Sequence, residues 1–355
     1  MSFGIDNLPY GSVVGPDGRQ FAAVRYGDAV LDLGLIDATL FGDGALDAFL
    51  AAGPTAWAQV RGDTVALIES GIAPLVPLAE TSPVLGFTVA DYIDFYASEH
   101  HATNAGRIFR PGGEPLPVNW KHIPIGYHGR SGSIVVSGTP IVRPSGMLSP
   151  AEFAPTRRLD FEAELAFVVG VPGTRIAVED ADSHVFGVCL LNDWSARDIQ
   201  AFEAVPLGPF LGKSFATSVA SWITPLTALT DQRIGGFGLG IDLEVRINDT
   251  LVSRPRFADM HWTYAQMLAH LTSNGASVRA GDVFASGTVS GPEPGQRGCL
   301  LELTWNGTEP ITLVDGATRA WLDDGDEVAI SANAGEVSLA EVTGQVSPAL
   351  AGDRL

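Results

Sequence analysis

The sequence predicts a mainly β protein with a few helices, and two kinds of pattern carry that prediction. Residues 159–170 alternate between apolar and acidic side chains, the period-two signature of a strand with one apolar face. In the last third of the chain, the turn signals Asn248-Asp249 and Asn306-Gly307 lie beside alternating runs. We therefore expect strands at 243–247 and 300–305, the latter carrying Glu302.

Residues 1–83 are expected to form a small separate unit. Two short strands, 21–26 and 29–33, flank a Gly-Asp turn, and two helical segments, 45–52 and 55–60, follow. This stretch contains no constellation of catalytic side chains. We therefore favour a role in packing or in supporting a dimer.

Composition limits the classes of partner and the compartment. The 355 residues carry a formal charge of -20, which argues against nucleic acid or an anionic membrane as partner, since both select basic surfaces. Cys189 and Cys299 suit reduced thiols in a cytoplasmic protein, with a single disulfide as the alternative. The first residues do not resemble a signal peptide, and no apolar run has the length of a membrane span.

The apolar run 185–191 predicts a buried strand, and a polar segment follows it. Ser195 suits the N-cap of a short helix, and a Gly- and Pro-rich stretch, 206–212, ends that helix. Charged groups are costly to bring together unless a metal or an anionic ligand satisfies them, so the segment predicts a site. A capped surface helix with ordinary ion pairs is the alternative. The side chains concerned are Asp193, Arg197, Gln200, Lys213 and Thr217.

Three further segments suit a ligand site. Residues 90–110 contain His100 and His101, which point in different directions on any regular element, so at most one serves a common site. The aromatic and Gly-rich stretch 119–136 suits a loop against a ligand and, almost equally, a structural turn. Ser286-Gly287-Thr288 is expected to be a loop with an exposed hydroxyl.

Glu162 and Glu164 occupy positions i and i+2 of a predicted strand, so both project to the same side. Two carboxylates at this spacing repel each other, which leaves solvent exposure or a cation between them. The apolar flanks favour the cation.

Taken in order, these segments resemble the fumarylacetoacetase family over roughly residues 84–350. The resemblance implies a mainly β, α+β fold, with a small SH3-like barrel domain at 1–83 and a larger β-roll domain at 84–355. It also implies a homodimer that hydrolyses a carbon–carbon bond of 4-fumarylacetoacetate, giving fumarate and acetoacetate, in tyrosine and phenylalanine breakdown. The segments are DYIDFYASEHHATNAGRIFR, HIPIGYHGRSGSIVVSGTPI, LDFEAELAFVVG, NDWSARDIQAFEAVPLGPFLGKSFAT, ASGTVSG and LLELTW.

The resemblance assigns a role to individual residues. It implies a general base at His101, oriented by Glu302, and oxyanion-stabilising groups at Arg197, Gln200 and Lys213. Oxygen-only ligands favour Mg²⁺ or Ca²⁺ over Zn²⁺. The implied substrate contacts are Tyr96, Arg110, Tyr127, Gln200 and Thr288. The implied metal-site residues are Asp94, Glu162, Glu164, Asp193, Lys213 and Thr217.

The chain departs from the family pattern at two places. Ala204 stands where the family has a tyrosine that contacts substrate, and an insertion between residues 230 and 241 is reduced to a short Gly-rich connection. Three alternatives therefore stay open. They are a related acylpyruvate or β-diketo acid hydrolase, a decarboxylase or isomerase of the same superfamily, and a non-catalytic metal-stabilised binding protein.

Overall fold

A sheet of 13 strands forms the framework of the computed structural model, which describes residues 3–350. Ten strands follow one another along the sheet, and three more pair beside this path. In order along the path they are Val76–Pro77, Ala29–Asp32, Gln20–Tyr26, Tyr10–Val14, Trp222–Pro225, Val185–Asp193, Ala163–Val169, Val283–Ala285, Tyr92–Phe95 and Gly126–His128. The other three are Ser82–Val84, Thr217–Val219 and Ile134–Val136.

Two central strands, Ala163–Val169 and Val185–Asp193, form the core of this sheet. They pair antiparallel, and every residue of both is buried, which explains their nearly continuous apolar sequence. The buried strand predicted at 185–191 is confirmed. The alternating stretch 159–170 is divided into Leu159–Asp160 and Ala163–Val169, with Glu162 between them.

A second sheet of five strands confirms the first predicted hairpin. Its strands, in order, are Thr250–Ser253, Asp242–Ile247, Glu327–Ala334, Val337–Ser347 and Ile141–Val142. Asn248 has a positive φ of 43° in the turn between the first two, as such a turn requires. Five short two-stranded ribbons complete the β structure: Ser145–Ser149 with Glu152–Pro155, Leu159–Asp160 with Ser195–Ala196, Gly173–Thr174 with Ser277–Val278, Arg233–Ile234 with Gly238–Leu239, and Ile311–Thr312 with Thr318–Arg319.

The second predicted hairpin is wrong. Leu300–Leu303 is a short helix, and Trp305 and Asn306 take left-handed conformations after it, with φ of 48° and 59°. A run of apolar residues this short fits a buried strand or a buried helix equally well, and the Asn-Gly pair follows a helix here rather than joining two strands. Glu302 therefore lies on a helix.

Residues 3–350 contain eight α-helices. Among the described residues, none is long and apolar enough to cross a membrane. The helix Tyr264–Thr272 ends shortly before Gly275, which has a φ of 95°. The helices are Ala38–Phe41, Asp47–Ala51, Gly53–Glu69, Glu99–Phe109, Ala181–His184, Arg197–Glu203, Tyr264–Thr272 and Leu300–Leu303.

The N-terminal part contains the predicted strands and helices, although the helix predicted at 55–60 is longer and spans Gly53–Glu69. Its sheet is not separate, because Tyr10 and Gly11 pair with Ile223 and Trp222 in the larger part of the chain. Residue 83 stays a predicted domain boundary.

Candidate active site

Four buried carboxylates converge on the large sheet. Asp94 lies on Tyr92–Phe95, Glu164 on Ala163–Val169 and Asp193 at the end of Val185–Asp193. Glu162 directly precedes Ala163–Val169, and its backbone forms an isolated antiparallel β-bridge with that of Cys299. An oxygen from each carboxylate lies within 4.8 Å of the others, and none of the four residues is more than 5% exposed.

Two buried cations offset part of this charge. Lys213 Nζ donates to Asp193 Oδ2 at 2.6 Å and also to Glu162 Oε2. Arg197 Nη2 lies 2.8 Å from Glu162 Oε1. Burial alone would raise the pKa of Glu162, but Lys213 and Arg197 together hold it below its ordinary value. Glu162 is therefore the carboxylate of the cluster best compensated by protein cations.

Asp94 and Glu164 lack such compensation. Burial and the nearby charge of Asp193 raise the pKa of Asp94, and burial and Asp94 raise that of Glu164. Within the described residues, Asp94 Oδ1 and Glu164 Oε1 have no hydrogen-bond partner. Buried, unpartnered carboxylate oxygens are costly, and oxygen-only donors suit a hard divalent cation. The residues present therefore fit such a cation.

A histidine–glutamate pair lies beside the cluster. His101 Nδ1 is 2.6 Å from Glu302 Oε2, and both side chains are buried. Burial alone would raise the pKa of Glu302, but His101 and two of the three further donors, Asn104 and Ser290, lower it to about 2. Glu302 is therefore an ionised carboxylate that accepts a hydrogen bond from Nδ1–H of His101. This leaves Nε2 as the nitrogen of His101 that can take up a proton. The further donors are Asn104 Nδ2, Ser290 Oγ and Cys299 Sγ.

A pocket of about 380 Å³ is lined by His101 of the pair and by Asp94 and Glu162 of the cluster. His101 lines it, whereas the neighbouring His100 is half-exposed, as expected for adjacent positions on a helix. All five predicted substrate contacts line the pocket: Tyr96, Arg110, Tyr127, Gln200 and Thr288. Arg197 and Lys213 line it as well.

Some of these side chains have protein partners that the sequence did not predict. Tyr127 donates to Asp193 Oδ2 at 3.0 Å, Arg110 Nη2 donates to the Pro115 carbonyl at 2.5 Å, and Gln200 Oε1 accepts from Arg197 at 3.3 Å. Tyr127 is therefore tied to the acidic cluster as well as to the pocket.

Two local predictions in this region are wrong. The hydroxyl near Gly287 is not exposed, because Thr288 is only 2% accessible; its Oγ1 has no partner within the described chain. Ser195 is not the helix cap, since Ala196 occupies that position and Ser195 Oγ donates to the Asp193 carbonyl at 3.0 Å.

Thr217 Oγ1 donates to Asp193 Oδ1 at 3.2 Å, and both residues line a smaller cavity of about 160 Å³.

Sequence reasoning missed Asp160, a fully buried carboxylate that pairs with Arg197. Its acidic character within an apolar alternation was the available signal, but the sequence offers no means of locating its partners. The donors around Glu302 were missed for the same reason. Cys189 and Cys299 are both free and buried, so the alternative of a disulfide between them is wrong.

Comparisons with known proteins identify the family. The protein-family model described as "Fumarylacetoacetase N-terminal" matches residues 6–79. The family model described as "Fumarylacetoacetate (FAA) hydrolase C-terminal" matches residues 92–346. This chain belongs to the fumarylacetoacetate hydrolase family. The fumarylacetoacetase of Oryza sativa subsp. japonica is 40% identical over 412 residues, covering 98% of this chain and 95% of the relative. That of Homo sapiens is 39% identical over 407 residues, covering 98% and 97%.

Two solved structures share the fold of this chain, which has a smaller N-terminal and a larger C-terminal domain. Fumarylacetoacetate hydrolase from Exiguobacterium antarcticum gives a TM-score of 0.65 at 20% identity, covering 96% of this chain and 99% of that one. Maleylpyruvate hydrolase from Sphingobium sp. SYK-6 gives 0.62 at 19% identity, covering 96% and 100%. The predicted mainly β fold is therefore confirmed.

Proposed function

We propose that this protein hydrolyses the carbon–carbon bond of 4-fumarylacetoacetate to fumarate and acetoacetate, a reaction of tyrosine and phenylalanine breakdown. Curated fumarylacetoacetases match nearly the whole chain at about 40% identity. The observation that carries the proposal is one pocket lined by His101, which is paired with Glu302, and by Asp94 and Glu162 of the four-carboxylate cluster. Activation of water beside a cation requires a general base and carboxylate ligands, and these residues provide both.

A divalent cation is the cofactor, and we infer Mg²⁺ or Ca²⁺ because every ligand is a carboxylate. Asp94, Glu162, Glu164 and Asp193 would hold it, with Lys213 and Thr217 bonded to the ligating groups. When bound, it would supply positive charge to the oxygens of the diketone.

The side chains of this protein supply the proton transfer. Glu302 keeps the Nδ1 proton of His101 in place, so Nε2 removes a proton from water. The resulting hydroxide attacks the carbonyl carbon, and Arg197, Gln200 and Lys213 stabilise the tetrahedral oxyanion. The oxyanion collapses, the carbon–carbon bond breaks, and His101 returns the proton to the leaving carbon.

Local positive charge suits the substrate. Fumarylacetoacetate is a dianion, whereas this protein has a formal charge of -20. Arg110, Arg197 and Lys213 line the pocket and provide cationic groups that can bind carboxylates and carbonyl oxygens. Thr288 adds to the same wall a buried hydroxyl that has no hydrogen-bond partner among residues 3–350.

A related acylpyruvate or β-diketo acid hydrolase is the second candidate. Ala204, one turn after Gln200 on the same helix face, stands where the family has a substrate-contacting tyrosine, so a smaller or differently shaped acid could be preferred. Decarboxylation or isomerisation has less support, because neither needs a histidine–carboxylate pair set up to activate water. A non-catalytic binding protein would have no use for that pair.

Fumarate release by metal-stripped protein, measured with and without Mg²⁺ or Ca²⁺, tests the proposal. Cation-dependent loss of the diketone absorbance with release of fumarate would support it. Cleavage of a shorter acylpyruvate alone would keep the mechanism and change the substrate. Binding of either acid without turnover would support the non-catalytic alternative.

We further infer a homodimer in the cytoplasm, in line with the family resemblance and with two free, buried thiols. Light scattering coupled to size-exclusion chromatography tests the first inference, since a monomer mass near 37.3 kDa would contradict it.

A further inference from the structure

Asp160 connects two parts of the site that are distant in sequence. The residue is fully buried, and its carboxylate is surrounded by N–H donors. Oδ1 accepts from the backbone of Phe161 at 2.8 Å and of Leu300 at 2.7 Å. Oδ2 accepts from the backbone of Leu301 at 3.0 Å and from Arg197 Nε at 2.8 Å.

On one side, Asp160 fixes the guanidinium of Arg197. Arg197 Nη2 lies 2.8 Å from Asp160 Oδ2 and 2.8 Å from Glu162 Oε1, and the residue is 5% exposed. The hydrogen bond from Arg197 Nε to Asp160 Oδ2 and the ion pairs of Nη2 with both carboxylates hold the planar guanidinium between them. The edge of Arg197 that lines the pocket is therefore set by Asp160 and Glu162.

On the other side, Asp160 fixes the helix Leu300–Leu303. The first N–H groups of a helix have no partner within it, and Cys299, at the N-cap, provides no side-chain hydrogen bond. Asp160 accepts from the first two of these groups. The next residue is Glu302, the partner of His101.

We propose that Asp160 is a positioning residue that sets Arg197 and the Glu302 helix relative to each other with one carboxylate. The proposal rests on the roles given above to Arg197 and Glu302. An asparagine at this position has one accepting atom instead of two, so its NH₂ group must face either the N–H groups of Phe161 and Leu300 or those of Leu301 and Arg197. Either orientation breaks one bond to the helix Leu300–Leu303, and the second also breaks the bond to Arg197, although the side-chain shape is kept.

A double-mutant cycle tests this proposal. Asp160→Asn is expected to lower kcat/KM for fumarylacetoacetate roughly 10²-fold, mainly through kcat, because displacing a catalytic group by about 1 Å has that effect. In the Arg197→Ala background the same change should cost less than about tenfold, since one of its targets is already absent. Equal factors in both backgrounds would overturn the proposal.

Asp326→Asn is the matched control. Asp326 is 2% exposed and accepts from Arg319, Asn248 and a backbone N–H, but it lies outside the pocket. We expect this variant to lower the melting temperature and to keep kcat. If it lowers kcat as much as Asp160→Asn does, the effect is general destabilisation and the proposal fails.

A readout without substrate separates this proposal from the proposed function. In the ¹⁵N–¹H spectrum, the Nε–H signal of Arg197, assigned by its loss in Arg197→Lys, should shift and exchange faster in Asp160→Asn only. If wild-type protein fails to cleave fumarylacetoacetate while this signal responds, the proposed function fails and the positioning role stands. An unchanged signal would overturn the positioning role at any level of activity.

Discussion

Replacing Glu302 by Gln tests whether the charge of this carboxylate, beyond its shape, makes His101 an effective base. Glu302 is fully buried, and four side-chain donors surround it: His101, Asn104, Ser290 and Cys299. The carbonyl oxygen of a glutamine can accept the three bonds now made to Oε2. Rotation of the Asn104 amide then lets its oxygen accept from the new NH₂ group. The substitution therefore removes a charge and keeps the hydrogen-bonded arrangement.

The expected loss follows from the geometry of the pair. Nδ1 lies 2.6 Å from Oε2, so the carboxylate directly faces the positive charge that His101 acquires during reaction. With charge centres roughly 4 Å apart and an effective dielectric constant of about 20, their attraction is about 4 kcal/mol. At about 1.4 kcal/mol per factor of ten, kcat/KM should fall roughly 10³-fold.

The assay is the initial rate of diketone loss at saturating divalent cation, with cation affinity measured in parallel by calorimetry. Affinity should stay unchanged, because Glu302 lies outside the four-carboxylate cluster. Asp326→Asn again serves as the buried-carboxylate control. A rate within about tenfold of wild type, at an unchanged melting temperature, would refute the reasoning.

Three other changes give distinct outcomes. His101→Ala should lower turnover by on the order of 10²–10⁴ and leave calorimetric cation affinity unchanged; near-normal turnover would contradict its role as base. Ala204→Tyr should lower KM for fumarylacetoacetate roughly tenfold through a hydrogen bond of about 1.5 kcal/mol, and Ala204→Phe, without the hydroxyl, should not. Cation at about 100 times its Kd should stabilise the fold by about 2.7 kcal/mol, roughly 4 °C in Tm. Because the pKa values of Asp94 and Glu164 are raised, these groups stabilise the cation-free fold at low pH and stop doing so as pH rises through the raised values. The cation-induced shift in Tm should therefore grow with pH, and a shift that shrinks would contradict the assigned ligands.

Strand patterns were the most predictable feature of this chain. The run 185–191 is continuously apolar and 159–170 has one apolar face, so a buried strand and a second strand follow from the sequence. The short run at 300–303 could not be assigned in the same way, because four apolar-rich residues fit a helix turn or a strand. Only the packing of Leu300 and Leu301 against the rest of the core, and their bonds to Asp160, decide for the helix.

The site divides in the same way. Residue type and family resemblance pointed to the carboxylates, since an acid within an apolar strand is unusual. Hydrogen-bond partners far along the chain left no local trace: Asn104 and Ser290 meet Glu302 across 198 and 12 positions. The expectation of an exposed hydroxyl near Thr288 failed because small residues suit close burial as well as surface turns.

The strand pairing between Tyr10–Val14 and Trp222–Pro225 has a consequence for how much protein a cell would hold. Trp222–Pro225 pairs in turn with Val185–Asp193, and these neighbouring strands approach each other closely at two glycines. A Cβ added at Gly11 would lie 2.5 Å from the Ser221 backbone oxygen, and one added at Gly187 would lie 2.5 Å from the Thr224 backbone oxygen. A larger residue at either glycine would push these strands apart, and neither glycine lines the pocket. Such variants would show lower steady-state abundance, with each surviving folded molecule working at the normal rate.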